Sequence, residues 1–237
     1  MSLIEKVKKK KEFSGLPDSV VSRALRESGE DVKEARALLR KYFGVFLTNR
    51  VLKGKGNLLD VHISSKKRDY REFYGEIFKD IEGAGSVIDL GCGVNGFSYE
   101  YLPEGVEYIG IEAAGQLVEK MNCFFKERNF DSRAICEDLF DAEKVVRILE
   151  KAKSPRVVFM FQVVDALESM KRDFSKELIS RVMENCEVLI ISLPLVSLGG
   201  GKKFAVKRKW LMDFLESEFN IERDFEIFLE RIICVRK

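Results

Sequence analysis

Three acids and a glycine turn carry the chemistry legible in this sequence. Val87-Ile88-Asp89-Leu90-Gly91-Cys92-Gly93-Val94-Asn95-Gly96 is an apolar run that passes into glycines. Gly91 and Gly93 let the backbone bend sharply and let a ligand lie against it. Gly91-x-Gly93-x-x-Gly96 formally matches the dinucleotide fingerprint. Asp89, ahead of the first glycine, favours a different ligand. Glu112 ends the next apolar run, and a carboxylate there can accept two hydrogen bonds from ribose hydroxyls. Asp138, in Cys136-Glu137-Asp138-Leu139, is placed to accept an adenine amino group, with Leu139 and Phe140 against the ring. Acids at the ends of three strands gather at the carboxyl edge of a sheet, where open α/β folds bind ligands.

Other chemistries find little support. The five cysteines (Cys92, Cys123, Cys136, Cys186, Cys234) are isolated from one another, and His62 is the sole histidine. The sequence therefore predicts no metal site, and no partner motif completes a nucleophilic triad around His62. His62 reads as a capping or packing residue. Scattered cysteines suit a reducing cytoplasm. The longest apolar stretch, Val188 to Leu198, is too short to span a bilayer, and the first residues lack the apolar core of a signal peptide. The expectation is a cytoplasmic protein with no membrane contact. Its 237 residues, 46% hydrophobic and 34% charged, suit one ordinary folded domain with a small appendage. One Thr and two Gln beside abundant Lys, Arg and Glu form a bias also seen in proteins from very hot habitats.

The elements that must position these residues follow from periodicity. Leu16-Pro17-Asp18 opens a helix whose apolar face is Val20, Val21, Ala24 and Leu25, with Gly29 as its breaker. Asp31 opens a second helix, carrying Val32, Ala35, Leu38, Leu39 and Phe43, and Gly44 ends it. Residues 1–45 thus read as a bundle of two or three helices. Residues 53–58 form a linker, and a further helix is predicted from Lys67 to Ile81. Strands are predicted at Ser86–Leu90, Glu107–Ile111, Arg133–Cys136, Val157–Phe161, Val188–Leu193, Glu222–Phe228 and Glu230–Val235. Helices are predicted at Ala113–Arg128, Ala142–Lys151, Val164–Asn185 and Lys207–Phe219. Strand–helix alternation with near-continuous apolar strands points to a parallel α/β sheet covered on both faces. The last two strands follow each other directly, as an antiparallel hairpin.

Asp89-x-Gly91-x-Gly93 resembles the first motif of class I methyltransferases that use S-adenosylmethionine. Four segments make the resemblance narrower. His62-Ile63-Ser64-Ser65-Lys66-Lys67-Arg68 is similar to a His-Ala-Ser-Thr-x-Glu-Arg motif, and Asp89-Leu90-Gly91-Cys92-Gly93-Val94-Asn95 to Asp-x-Gly-Cys-Gly-Leu-Asn-Pro. Ala166-Leu167-Glu168 is similar to Cys-Leu-Glu, and Ile191-Ser192-Leu193-Pro194-Leu195-Val196-Ser197-Leu198-Gly199-Gly200 to Val-Ser-Phe-Pro-x-x-Ser-Leu-Gly-Gly. These are motifs of the aminoglycoside-resistance family of 16S ribosomal RNA guanine-N7 methyltransferases, which the chain resembles in divergent, N-terminally shortened form. The resemblance implies a Rossmann-like, mostly parallel seven-stranded α/β sheet with a C-terminal antiparallel hairpin. It implies a small N-terminal helical domain over residues 1–58 and a methyltransferase domain over 59–237. It implies S-adenosylmethionine as cofactor, held by Arg68 at its carboxylate and by Asp89, Gly91, Cys92, Gly93, Asn95, Glu112, Asp138, Leu139, Phe161 and Gln162. Departures accompany it: Gly96 stands where the family has proline, Gln162 where it has lysine, and Gly201-Lys202 where it has Gly-Arg.

Charge agrees with an RNA partner. Residues 1–58 hold 14 Lys/Arg against 7 Asp/Glu, whereas the remainder holds 27 against 32. A basic front end on a mildly acidic body suits a polyanion. Lys202, Lys203, Lys207 and Arg208 form a second cluster, and together with Lys6 to Lys11, Arg23, Arg26, Arg36, Arg40 and Lys41 they can bracket ribosomal RNA in the small subunit. Phe161, Phe204 and Trp210 are candidate stacking residues. Guanine N7 carries a lone pair and no proton, so no general base is required and no catalytic residue is singled out. The sequence demands nothing beyond a monomer. Two other readings stay open: a methyltransferase of another substrate class, and a non-catalytic RNA-binding protein that keeps the cofactor fold.

Overall fold

In the computed structural model, seven strands pair in the order β3-β2-β1-β4-β5-β7-β6. The strands are β1 (Ser86–Leu90), β2 (Glu107–Glu112), β3 (Ser132–Cys136), β4 (Arg156–Phe161), β5 (Val188–Pro194), β6 (Asn220–Ile227) and β7 (Glu230–Arg236). The structure describes the chain apart from residues 45, 49–50, 52, 55–57, 62 and 197–207. His62 and much of the expected linker therefore lie outside the described residues, as do Lys202, Lys203, Phe204 and Lys207. β1, β4 and β5 run parallel, with Asp89 opposite Phe159 and Phe161 opposite Ser192. β7 inserts antiparallel between β5 and β6, and a register shift interrupts the β6–β7 ladder between Ile221 and Arg223. The strands expected from the sequence are all present. β1 and β2 are buried along their whole length, whereas the edge strand β6 alternates between exposed and half-buried residues.

The chain gathers into two compact units. The first comprises Met1–Lys66, Gly91–Tyr99 and Gly110–Asp141. Its front end holds α1 (Leu3–Lys8), α2 (Asp18–Glu27) and α3 (Val32–Phe43). Each starts as the sequence directs. Ser2 and Glu5 close a capping box on α1. Pro17 precedes α2, and Gly29, at φ 60°, follows it. The Asp31 carboxylate caps α3 by accepting from the Lys33 and Glu34 amides, both at 2.8 Å. α4 (Ile63–Lys67) closes this stretch, and α6 (Gly115–Arg128) follows β2. The front end docks on α6 at a close backbone approach: a Cβ at Gly115 would run into the Gly15 carbonyl oxygen. Gln116 Nε2 donates to Lys11 O at 2.9 Å and meets Ser14 Oγ at 3.1 Å.

The second unit comprises Lys67–Leu90, Glu100–Ile109 and Ala142–Lys237. It contains α5 (Tyr70–Ile77), α7 (Ala142–Lys151), α8 (Val164–Met170), α9 (Phe174–Glu184) and α10 (Lys209–Glu218). Two expected helices are broken, each by a side chain that caps in the middle. The helix expected from Lys67 starts instead at Tyr70, because Asp69 accepts from the Arg71 and Glu72 amides at 3.0 and 3.1 Å. The single helix expected over Val164–Asn185 divides at Lys171–Asp173, where Asp173 adopts φ 61°. Glu168 accepts from the Asp173 and Ser175 amides at 2.9 and 3.0 Å and so caps α9 from outside. Periodicity does not register a cap whose acceptor lies one turn away in the preceding helix. Among the described residues, no helix is long and apolar enough to cross a membrane.

Candidate functional site

The first unit holds the glycine turn and two of the three acids. Gly91 and Gly93 take φ values of 70° and 51°, the left-handed region that glycine enters without penalty. The Gly91 and Cys92 amides donate to Ile111 O at 2.8 and 3.1 Å. Asn95 is buried, and its carbonyl accepts from Ser98 Oγ at 2.6 Å. Cys92 is buried, with its sulfur 4.0 Å from Met121 Sδ. Gly93→Ala is expected to lower stability by about 1–2 kcal/mol from backbone strain alone, and a Cβ there would in addition meet the Phe46 ring at 2.7 Å. Urea unfolding measures it, and an unchanged midpoint would show that the turn does not need its glycine.

Glu112, at the end of β2, is the brace of this turn. Its Oε2 accepts from the Gly93 amide at 3.0 Å and its Oε1 from the Ala114 amide at 2.9 Å. Ala114 is the residue that precedes α6, which begins at Gly115 rather than at Ala113. Burial pushes the Glu112 carboxyl up, and the Ala114, Gly93 and Ala113 amides pull it back only in part. Each carboxylate oxygen has a second lone pair, so accepting two amides leaves the group chemically able to take hydroxyls as well.

Asp138 follows β3 and is 3% exposed. Its Oδ1 accepts from the Phe140 amide at 3.0 Å, and its Oδ2 accepts from Arg23 Nη2 at 2.5 Å. The same guanidinium lies over the Phe140 ring, 3.9 Å from its centroid. Leu139 is buried beside them in sequence. Arg23 belongs to α2, and nothing in its helical spacing distinguishes it from a surface charge, which is why sequence reasoning grouped it with the RNA-facing cations.

The second unit holds Asp89, Arg68, Phe161 and Gln162. Asp89 is fully buried on β1, and its Oδ2 accepts from the Tyr108 hydroxyl at 3.0 Å. Arg68 falls in the break before α5 that the Asp69 cap creates. Its Nε and Nη2 donate to Glu230 Oε1 and Oε2, both at 2.7 Å, in a two-pronged pair whose side chains are 3% and 2% exposed. The guanidinium carbon lies 4.5 Å from the Phe73 ring centroid and 5.1 Å from that of Phe161. Phe161 in turn stacks on Phe159 with centroids 4.4 Å apart. Ser192 Oγ donates to Glu230, and Gln162, at φ 55°, supplies another side-chain hydrogen bond to it. Burial alone would lower the basicity of Arg68, but the facing Glu230 carboxylate more than reverses this. Burial alone would raise Glu230, and Arg68, Ser192 and Gln162 together hold it below the usual range. Glu230 was not anticipated. The available signal was an acid opening an otherwise apolar strand, Ile232 to Val235.

The expected RNA-facing cations divide. Arg208 is placed otherwise than a phosphate contact requires: it is 7% exposed, with Nε and Nη2 on the Asp165 carboxylate at 2.8 and 2.6 Å and Nη1 on Pro194 O at 3.4 Å. It anchors the start of α10 to the end of β5. Arg36 donates to the carbonyls of Lys6 and Val7 at the end of α1. Arg40 pairs with Glu12 at 2.7 Å over the Phe13 ring. These two arginines hold the helical front end together, and Arg40 keeps about half of its side chain in solvent. Trp210 lies beneath Lys176 Nζ, 5.5 Å from its ring centre.

No family model matches the chain. A curated 16S rRNA (guanine(1405)-N(7))-methyltransferase from Micromonospora rosea is 26% identical over 149 residues. That alignment takes in 61% of this chain and 51% of the relative, so it spans about half the relative's length. Among solved structures, the 16S rRNA methylase RmtB superposes with a TM-score of 0.76 at 21% identity, covering 99% of this chain and 97% of that one. The 16S rRNA methyltransferase RmtF, solved in complex with S-adenosyl-L-homocysteine, gives 0.75 at 19% identity over 99% and 96%. The resemblance carried by the four sequence segments is thus met by relatives of that description, and the seven-stranded sheet with its antiparallel end is the fold of these methylases.

Proposed function

We propose that this chain is an S-adenosylmethionine-dependent methyltransferase that modifies guanine N7 in small-subunit ribosomal RNA, in the cytoplasm. The observation that carries the reading is Glu112: a buried carboxylate at the end of β2, pinned by the Gly93 amide of the glycine turn and by the Ala114 amide ahead of α6. A buried carboxylate held with lone pairs to spare suits a polyhydroxylated ligand, and it stands where such folds bind ribose. Asp138 offers an acceptor for an exocyclic amino group, and Arg68 a guanidinium for a carboxylate. S-adenosylmethionine, when bound, supplies an activated methyl group. The chain's own residues bind and orient, and the apolar surroundings of the turn, Cys92 and Val94 among them, exclude water. Guanine N7 has no proton to lose, so no side chain has to act as a base. Residues 1–58 serve as the RNA-binding part, their net positive charge drawing in the phosphate backbone.

The test is methyl transfer from radiolabelled S-adenosylmethionine to intact small subunits, naked ribosomal RNA and transfer RNA side by side, with borohydride–aniline cleavage to locate 7-methylguanine. Label in the small subunit with cleavage at a guanine is expected. Label confined to transfer RNA, or no label in any RNA, would overturn the assigned substrate.

A further inference from the structure

We propose that Arg23, in the helical front end, is a positioning residue of the cofactor site: it holds Asp138 for the adenine amino group and so gives the site its preference for a 6-aminopurine. The inference rests on the reading of Asp138 as the adenine acceptor. It reassigns a residue whose sequence context groups it with the RNA-facing cations, and it makes the front end part of the cofactor site as well as of the RNA surface.

The geometry is specific. Arg23 sits on α2 beside the apolar face formed by Val20, Val21, Ala24 and Leu25, all buried. That burial fixes the helix, and the helix fixes where the guanidinium points. Nη2 reaches Asp138 Oδ2 at 2.5 Å, while the planar group lies 3.9 Å above the Phe140 ring. Asp138 is tied to the same residue from the other side, through the Phe140 amide at 3.0 Å. The carboxylate is thus gripped at both oxygens and cannot rotate about its terminal bond. A buried carboxylate with no cation beside it is costly, and it reorients towards other donors to lower that cost. A rotated Asp138 would no longer present its lone pair to an amino group that needs an acceptor. The Arg23 side chain is 19% exposed and the Asp138 side chain 5%, so the pair is closed on the side of the acid. Arginine also supplies what lysine lacks here, a flat face for Phe140 together with an in-plane donor for Asp138.

The experiment compares two probes by calorimetry on the full-length chain: S-adenosylhomocysteine, and S-inosylhomocysteine, whose 6-oxo group cannot donate to a carboxylate. The unsubstituted protein should prefer the adenosyl probe. Arg23→Gln should weaken the adenosyl probe by about 10–100-fold, the worth of one charge-assisted hydrogen bond, and leave the inosyl probe within about twofold, so that the preference collapses. Arg23→Lys should recover only part of the preference. A loss of general structure would weaken both probes alike and would overturn the assignment, as would an unchanged preference in Arg23→Gln. A tighter adenosyl complex in Arg23→Gln would also overturn it, by showing that Arg23 competes with the purine for the carboxylate. Asp138→Asn separates this from the parent reading. If that variant keeps the preference, the adenine assignment of Asp138 fails and this proposal with it. If it loses the preference while Arg23→Gln keeps it, only the role of Arg23 fails.

Discussion

Glu230→Ala is expected to destabilise the protein by about 3–5 kcal/mol, the cost of removing one member of a buried ion pair. Arg68 is the other member: it is almost wholly buried, and Glu230 takes two of its donors. Phe73 and Phe161 flank the guanidinium and supply no counter-charge. The double variant Arg68→Met with Glu230→Leu should recover most of the loss, because two apolar side chains of similar bulk replace the pair without stranding either member. Urea unfolding of the two single variants and the double one measures the coupling. Additive losses, or a Glu230→Ala midpoint unchanged from the parent, would show that the pair is not the unit described. The double variant also separates structure from function, since it should fold yet lose affinity for S-adenosylhomocysteine, whose carboxylate the guanidinium is proposed to hold.

The pair also sets a pH limb. Glu230 titrates below its ordinary 4.5 in the folded chain. A depressed carboxyl contributes stability that is fully present above the unfolded value and disappears as pH falls through the folded one. The contribution is therefore intact at neutral pH and is lost below about pH 4.5. Relative to Glu230→Gln, the parent should lose stability steeply in that acid range and nowhere above it.

Strand positions were legible because a strand buried on both faces writes itself as an uninterrupted apolar run, as in Val87–Leu90 and Val157–Phe161. The glycine turn was legible because its positive φ values leave few alternatives to glycine. The acids at strand ends were legible by position alone. Their partners were not. Arg23 and Asp138 are 115 positions apart in sequence, and Arg68 and Glu230 are 162 apart. Neither pairing leaves a local periodicity, because a buried ion pair is set by tertiary geometry. The same limit explains Arg208, which in the sequence Lys207-Arg208-Lys209 looks like one more solvated cation, yet folds onto Asp165. It also explains the split helices, whose caps at Asp69 and Glu168 use residue types common on any helix surface.

Glu112→Gln is expected to weaken S-adenosylhomocysteine binding at neutral pH by about 100-fold, the combined worth of charge-assisted bonds to two hydroxyls at the low end of their range. The swap looks conservative but is not. Both carboxylate oxygens already accept backbone amides, from Gly93 and Ala114, and an amide side chain must turn its NH2 towards one of them. The turn then loses a bond on the side where the ligand is proposed to lie. The pH dependence gives a second, independent sign. Burial raises Glu112 above its ordinary 4.5, so acidification protonates it before an exposed glutamate would be. The protonated group has lost the charge that strengthens its bonds to hydroxyls, so affinity should fall as pH drops into the region above 4.5. Stability should move the other way. A raised carboxyl makes the folded chain bind its proton more tightly than the unfolded chain does, so its ionisation costs stability as pH rises from 4.5 through the folded value. Measured against Glu112→Gln, the ligand-free parent should therefore gain stability on acidification over the window in which it loses ligand. The Glu230 limb lies below that window, so the two carboxyls can be read separately from one pair of titrations. A parent whose affinity is flat between pH 7 and about 4.5, or a Glu112→Gln variant that binds as tightly as the parent, would remove Glu112 from the site and leave it as a brace of the glycine turn alone.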